Sequence, residues 1–287
     1  GKWHLDGHGR KSFIPKERRQ GFDYWKVLEC THDYNDSVYY ADTPEKLKWQ
    51  GYDAFAQSKD ACSYLESRKN KQRSFVLFVS YGPPHNPYKT APKEYQDMYD
   101  PEALKLRPNI HKDLKAQAAE NLKGYYAHIS ALDECAHMID EKLRQMNMQN
   151  NTIFVFTSDH GDSVGSQCKP ETGGMINKQR PYDESILVPF LMRYPRAFGN
   201  RGQEIRFPVA APDIMPTLLS LSGICMPETV EGVDLSGHLL KRTQPERKAV
   251  LIASYVPFAD YRPEQGGIEY RGVRTERYTY TRGLNGP

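Results

Sequence analysis

One long apolar stripe constrains this chain most. Leu122, Tyr125, Ile129, Leu132, Ala136, Ile139, Leu143 and Met146 recur at alternating spacings of three and four. That is the period of a helix with a single buried face. Asn150-Asn151 ends the stripe, and the run TIFVFTS (152–158) follows at once. A short run this apolar reads as a strand buried on both faces. A helix that must cover its stripe beside such a strand points to α/β layering.

The rest of the chain repeats the pattern. AFAQSKDACSYLESR (54–68) reads as a helix, and SFVLFVS (74–80) as a second buried strand. VPFLMRY (188–194) reads as a third strand, and Pro212-Asp213 introduces a short apolar helix that Gly223 stops. The expected fold class is therefore α/β, a mostly parallel central sheet flanked by helices. After about residue 246 the character changes. AVLIASY, GIEYRGVRT and RYTYTR are short and turn-separated, as in a small antiparallel sheet. The expected organisation is a main α/β domain over 1–245 and the start of an antiparallel subdomain over 246–287.

Composition excludes several classes. The 39 basic and 36 acidic residues give a net charge of +3, too near balance to argue for a nucleic-acid partner. The longest apolar runs, FVLFV and ILVPFLM, fall far short of the roughly 18 residues of a membrane helix. The five cysteines are far apart with no CxxC, which excludes a zinc knuckle and a local redox pair.

In open α/β sheets, ligands bind beyond the carboxyl ends of the strands. His85 in PPHNPY follows the run 74–80, and Asp159, His160 and Asp162 in SDHGD follow the run 152–158. Lys178 lies in NKQRPYDESILVP, and Lys2 and His4 in GKWHL share the side of an extended segment by their spacing of two. Each residue alone admits a plain structural reading. Together they offer cations and imidazoles around a possible metal, a set suited to a tetrahedral dianionic ester. No GxSxG element or Cys beside a candidate base supplies a nucleophile.

GKWHL, PPHNPY, SDHGD, KQRPYDESILVP and the later PDIMPTLLSLSG…GVDLSG, in that order, resemble the type I sulfatases of the alkaline phosphatase superfamily. The likeness runs along nearly the whole chain. It implies that Lys2 and His4 contact the sulfate and the nucleophile, with His4 assisting sulfate release. It implies that His85 donates a proton to the leaving alcohol, and that Lys178 bridges the sulfate and leaving oxygens. Asp159 and His160 would bind a divalent cation, Ca²⁺ or else Mg²⁺, while Asp162 would stabilise the loop. The implied activity is hydrolysis of a sulfate ester on a carbohydrate or aryl group, by an enzyme that is periplasmic or extracellular.

The family's nucleophile is a formylglycine made from the first residue of a Cys/Ser-x-Pro/Ala-x-Arg motif, and paired aspartates complete its metal site. Both are expected upstream of residue 1. Cys168 and Cys225 are followed by x-Pro but then by Glu, so neither matches. The 287 residues alone are therefore expected to be inactive. Gln167 stands where many relatives have His, so substrate preference does not transfer. Two other readings are a phosphonate monoester hydrolase or phosphodiesterase on the same scaffold, and a sulfated-glycan-binding protein without catalysis.

Overall fold

The computed structural model describes residues 1–69, 71, 73–168, 170, 178–255 and 269–283. The chain divides into two compact units, one of residues 1–149 and 164–176, the other of 150–163 and 177–287.

In the first unit, β1 (Val38–Tyr39) pairs antiparallel with β2 (Leu47–Lys48). Helix α1 (Asp53–Arg68) follows, then the short α2 (Lys93–Gln96) and the 31-residue α3 (Lys115–Gln145). The core lies where α1 packs on α3, around Tyr34, Tyr52, Ala54, Ala131, Leu132 and Cys135.

The buried face of α3 is not quite the apolar stripe. It runs through Gly124, Ala127, His128, Ala131, Leu132, Cys135, Ile139 and Leu143, while Ile129 is exposed. Small residues let the neighbouring backbone come close. A Cβ on Gly124 would collide with the Tyr88 carbonyl, whose carbon would lie 2.7 Å away. His128 is tolerated inside because the Tyr52 hydroxyl meets its Nδ1 at 2.6 Å. Burial holds its imidazole at about 4, so it stays neutral.

The run 74–80 does not form the expected buried strand. No strand is assigned there, and Val76 and Phe78 are exposed. A strand buried on both faces needs neighbours to pair with and helices to cover it. Here the Ser80 carbonyl accepts from Lys2 N–H at 2.8 Å, and Lys2 forms an isolated parallel bridge to Leu28.

In the second unit, β3 (Phe154–Thr157) pairs with β4 (Phe190–Arg193). This pairing is antiparallel, so the parallel arrangement expected for these two strands does not hold. Between the two strands the described residues hold the short α4 (Asp183–Ile186) and no long helix to make a parallel crossover. Helices α5 (Pro195–Phe198), α6 (Ile214–Leu221) and α7 (Ser236–Lys241) follow. Gly223 at φ 69° terminates α6 as its position after the apolar run indicates. Asp213 anchors that region: its carboxylate accepts from the Ala210 and Val233 amides and from Arg247 Nη1.

The C-terminal antiparallel sheet is present as β5 (Ala249–Ser254), β6 (Tyr270–Thr275) and β7 (Thr279–Gly283). Its order is β5-β6-β7. The α/β class therefore stands, with every strand ladder among the described residues antiparallel.

Candidate active site

The sequence-predicted site residues fall on both units. Lys2, His4 and His85 belong to the first, and Asp159, His160 and Lys178 to the second.

In the first unit, residues 1–4 run beside 28–29. Trp3 N–H donates to Leu28 O at 2.9 Å and His4 N–H to Glu29 O at 3.0 Å. His4 has φ 58°, left-handed backbone, so the alternation expected to put Lys2 and His4 on one side ends at His4. His85 sits between two cis prolyl bonds, Pro83-Pro84 and Asn86-Pro87. Its Nδ1 lies 2.9 Å from the carbonyl oxygen of Asn86. A carbonyl only accepts, so Nδ1 carries a proton and holds it on Asn86 O.

Two further residues frame His85, and no sequence motif marks them. His32 stacks on its ring, with centroids 4.4 Å apart and planes at 23°. The Tyr34 hydroxyl donates to the same Asn86 carbonyl at 3.2 Å. Both lie in the polar, aperiodic first fifty residues, where neither a strand end nor a helical face points to them.

In the second unit, Asp159 and His160 follow β3 directly, at the strand end where a ligand is expected. Asp159 Oδ1 accepts from the His160 amide at 2.9 Å, a tight local turn. His160 Nδ1 lies 2.9 Å from Gly161 O, so it too is the protonated nitrogen. His160 Nε2 then offers its lone pair, and Lys178 Nζ donates to it at 3.1 Å. Both site imidazoles are thus fixed in the same tautomer by the carbonyl of the following residue.

The loop carrying this pair is clamped from outside. Gly161 N–H donates to Ser185 O of α4 at 2.9 Å. A Cβ at Gly161 would run into the Glu184 carbonyl, 3.0 Å from its carbon. Helix α4 is itself held by Asp183, whose carboxylate takes Arg274 of β6 in a two-point contact at 2.9 and 3.3 Å. Asp162 continues the same loop, and Gln167 further along takes a left-handed φ of 60°. Cys168 is buried, its thiol donating to Ser166 O at 3.4 Å, a structural setting that suits its rejection as a nucleophile. Residues 169 and 171–177 fall outside the described residues.

Among the described residues, no group of three or more His, Cys, Asp and Glu side chains is arranged to hold a metal. The pair nevertheless fits two corners of a cation site. Asp159 Oδ2 lies 3.4 Å from His160 Nε2. Two donors at right angles on one cation, each about 2.3 Å from it, are separated by about 3.2 Å. The single His160 lone pair here accepts from the Lys178 ammonium, which a cation bound at Nε2 would displace.

The family model described as "Sulfatase" matches residues 1–224. The chain belongs to the sulfatase family. A second model, for the C-terminal part of N-sulphoglucosamine sulphohydrolase, matches residues 172–284 of this sulfatase chain. The chain is 45% identical to an ulvan-active sulfatase of Formosa agariphila, over 100% of its own length and 55% of the relative's. It is 31% identical to an endo-4-O-sulfatase of Bacteroides thetaiotaomicron, over 93% of this chain and 54% of that one. The chain thus spans about half the length of these curated relatives.

Among solved structures, yidJ of Bacteroides fragilis, a sulfatase candidate, superposes with a TM-score of 0.84 at 32% identity. The match covers 95% of this sulfatase chain and 58% of the other. A phosphonate monoester hydrolase of Agrobacterium radiobacter shares the fold, at a TM-score of 0.65 and 20% identity over 81% and 53% of the two chains. No helix among the described residues is long and apolar enough to cross a membrane.

Proposed function

We propose that this chain supplies the sulfate-gripping and proton-donating residues of a sulfuric ester hydrolase that acts on sulfated carbohydrates. The observation that carries the reading is the His160–Lys178 pair, held beside Asp159 at the end of β3. With the family membership, it supports a site built for an anionic sulfate ester, whose nonbridging oxygens share one negative charge.

Asp159 and His160 would hold a divalent cation, for which Ca²⁺, an oxygen-seeking ion, is the first choice. A bound cation would neutralise sulfate charge, and a formylglycine hydrate would supply the attacking oxygen. Lys2 would place its ammonium on the nonbridging sulfate oxygens, and Lys178 would bridge the sulfate and the leaving oxygen, where charge grows as the sulfur–oxygen bond breaks. His85, acting as the imidazolium with its Nδ1 proton kept on Asn86 O, would deliver its Nε2 proton to the bridging oxygen as that bond breaks. His4 removes a proton in the step that frees inorganic sulfate. The carbohydrate assignment draws on the relatives named for ulvan and for endo-4-O-sulfate action. The expected compartment is the periplasm or the cell exterior, where sulfated polysaccharides are met.

The test is sulfate release by the full-length protein, read by ion chromatography. Lys178→Ala and His160→Ala should each lower kcat/KM by at least about a hundredfold, as the loss of one charge-stabilising donor does elsewhere. Prior chelation should abolish wild-type turnover, and added Ca²⁺ should restore it. Activity insensitive to all three would defeat the reading. The shared fold with phosphonate monoester hydrolases keeps one alternative open, hydrolysis of a phosphonate or phosphate ester by the same groups.

A further inference from the structure

The segment 31–35 carries no sequence motif, yet it runs along the loop that bears His85 and touches it at three points. His32 stacks on the His85 ring at 4.4 Å and 23°. Tyr34 donates to Asn86 O at 3.2 Å, and Asn35 Nδ2 to Thr90 O at 2.9 Å. The segment is fixed at its own end as well. Cys30 Sγ lies 3.9 Å from His32 Nε2, and Asp33 N–H donates to Thr31 Oγ1 at 3.0 Å.

These contacts act on the two freedoms a proton-donating imidazole has. The first is rotation of its ring. A flat ring packed parallel to His85 opposes that rotation. The second is which nitrogen of the imidazolium gives up its proton: the Asn86 carbonyl accepts from His85 Nδ1 at 2.9 Å and retains that proton, so Nε2 is the acid. Tyr34, fully buried, donates to that same oxygen and so fixes where it points. Burial pushes the Tyr34 phenol well above its ordinary value, so it remains a donor at every working pH. A Cβ on Gly82 would lie 2.6 Å from the Tyr34 ring, which shows how closely the two loops are fitted.

We propose that His32 and Tyr34 are positioning residues for the proton donor, His32 by gripping the face of the His85 ring and Tyr34 by anchoring the carbonyl that retains its Nδ1 proton. The inference rests on the reading of His85 as the group that protonates the leaving oxygen. Neither residue needs to touch the sulfate.

Positioning of an acid has a signature that general loss of structure lacks, because only poor leaving groups need the proton. The experiment measures kcat/KM of the full-length protein on aryl sulfates whose phenols span a range of basicity. 4-Nitrophenyl sulfate is the end that needs no acid. His32→Ala should cost at least about tenfold on the most basic leaving group, part of the 10²–10⁴ that such an acid supplies. On 4-nitrophenyl sulfate the cost should be under about threefold. His32→Phe, which keeps a flat ring and removes the titratable nitrogens, should restore most of the loss. Tyr34→Phe should show the same leaving-group dependence, more weakly. In the His85→Asn background, His32→Ala should have no further effect.

Equal losses across the series would overturn the proposal, and so would additivity with His85→Asn. If His32→Phe is as impaired as His32→Ala, the ring-gripping argument fails. Should His32→Ala not fold, the His32→Phe and Tyr34→Phe profiles decide alone, a wild-type slope in Tyr34→Phe counting against the anchor. A wild-type protein that turns over no sulfate ester would instead overturn the underlying reading, and the proposal with it.

Discussion

Two buried titratable residues pull stability in opposite directions with pH. His128 is fully buried, and desolvation lowers its pKa from 6.5 to about 4. Its contribution is whole above 6.5 and is lost as pH falls toward 4, since the unfolded chain then binds the extra proton. Asp53 is also buried, with Oδ1 lacking a hydrogen-bond partner, and desolvation raises its pKa from 3.8 to about 7. Its contribution is whole below 3.8 and is lost as pH rises toward 7. The shifts are worth about 3 to 5 kcal/mol each at about 1.4 kcal/mol per unit, and their slopes are opposite, so in the wild type they largely offset between pH 4 and 6.5. Asp53→Asn should therefore show a Tm that climbs from pH 4 to 6.5, and His128→Asn one that declines from pH 4 to 7. Thermal melts across that range check both, and parallel curves in the two variants would contradict the assignment.

Gly161 makes a second prediction at this scale. Its missing Cβ leaves room for the Glu184 carbonyl, and its amide donates to Ser185 O. Gly161→Ala should cost about 1–3 kcal/mol in denaturant unfolding, the usual penalty for overpacking against fixed atoms. Turnover should fall further than stability, because the displaced loop carries Asp159 and His160.

At the level of elements, Gly124 sets helix propensity against packing. Alanine is favoured over glycine in a helix by about 1 kcal/mol. On α3 the added Cβ would meet the Tyr88 carbonyl, a backbone group that cannot rotate away. Packing should win, and Gly124→Ala should lower the unfolding free energy by about 1–2 kcal/mol net of propensity. A stabilised variant would show that α3 can slide outward at no cost.

The same helix shows how far the sequence could be read. Its existence follows from apolar periodicity, and Leu132, Ile139 and Leu143 are buried as their spacing indicates. The helix begins at Lys115, ahead of the stripe, and its contact with α1 was not indicated. Its true face was not legible, because Gly124, Ala127, Ala131 and the hydrogen-bonded His128 carry little apolar signal. The run 74–80 failed in the opposite sense. Its composition indicates burial, but composition does not name a pairing partner, and Val76 and Phe78 are exposed. Strand direction was hidden too, since β3 and β4 read alike whether parallel or antiparallel.

For the whole molecule, two small tautomer-fixing motifs support the functional reading, one in each unit. His85 bonds to Asn86 O, and His160 to Gly161 O. The candidate residues were legible because their motifs stand at loop positions rich in chemistry. Their supporting residues were not, because His32, Tyr34 and Ser185 act through contacts that only folding creates. The central claim is that these groups serve sulfate transfer to water, on a fold also used by phosphonate monoester hydrolases. The most direct measurement compares kcat/KM of the full-length protein on 4-nitrophenyl sulfate and on 4-nitrophenyl phenylphosphonate, which share a leaving group. The account predicts a clear preference for the sulfate, by at least about 1.4 kcal/mol or tenfold. Preference for the phosphonate, or turnover of neither ester nor any sulfated carbohydrate, would contradict it.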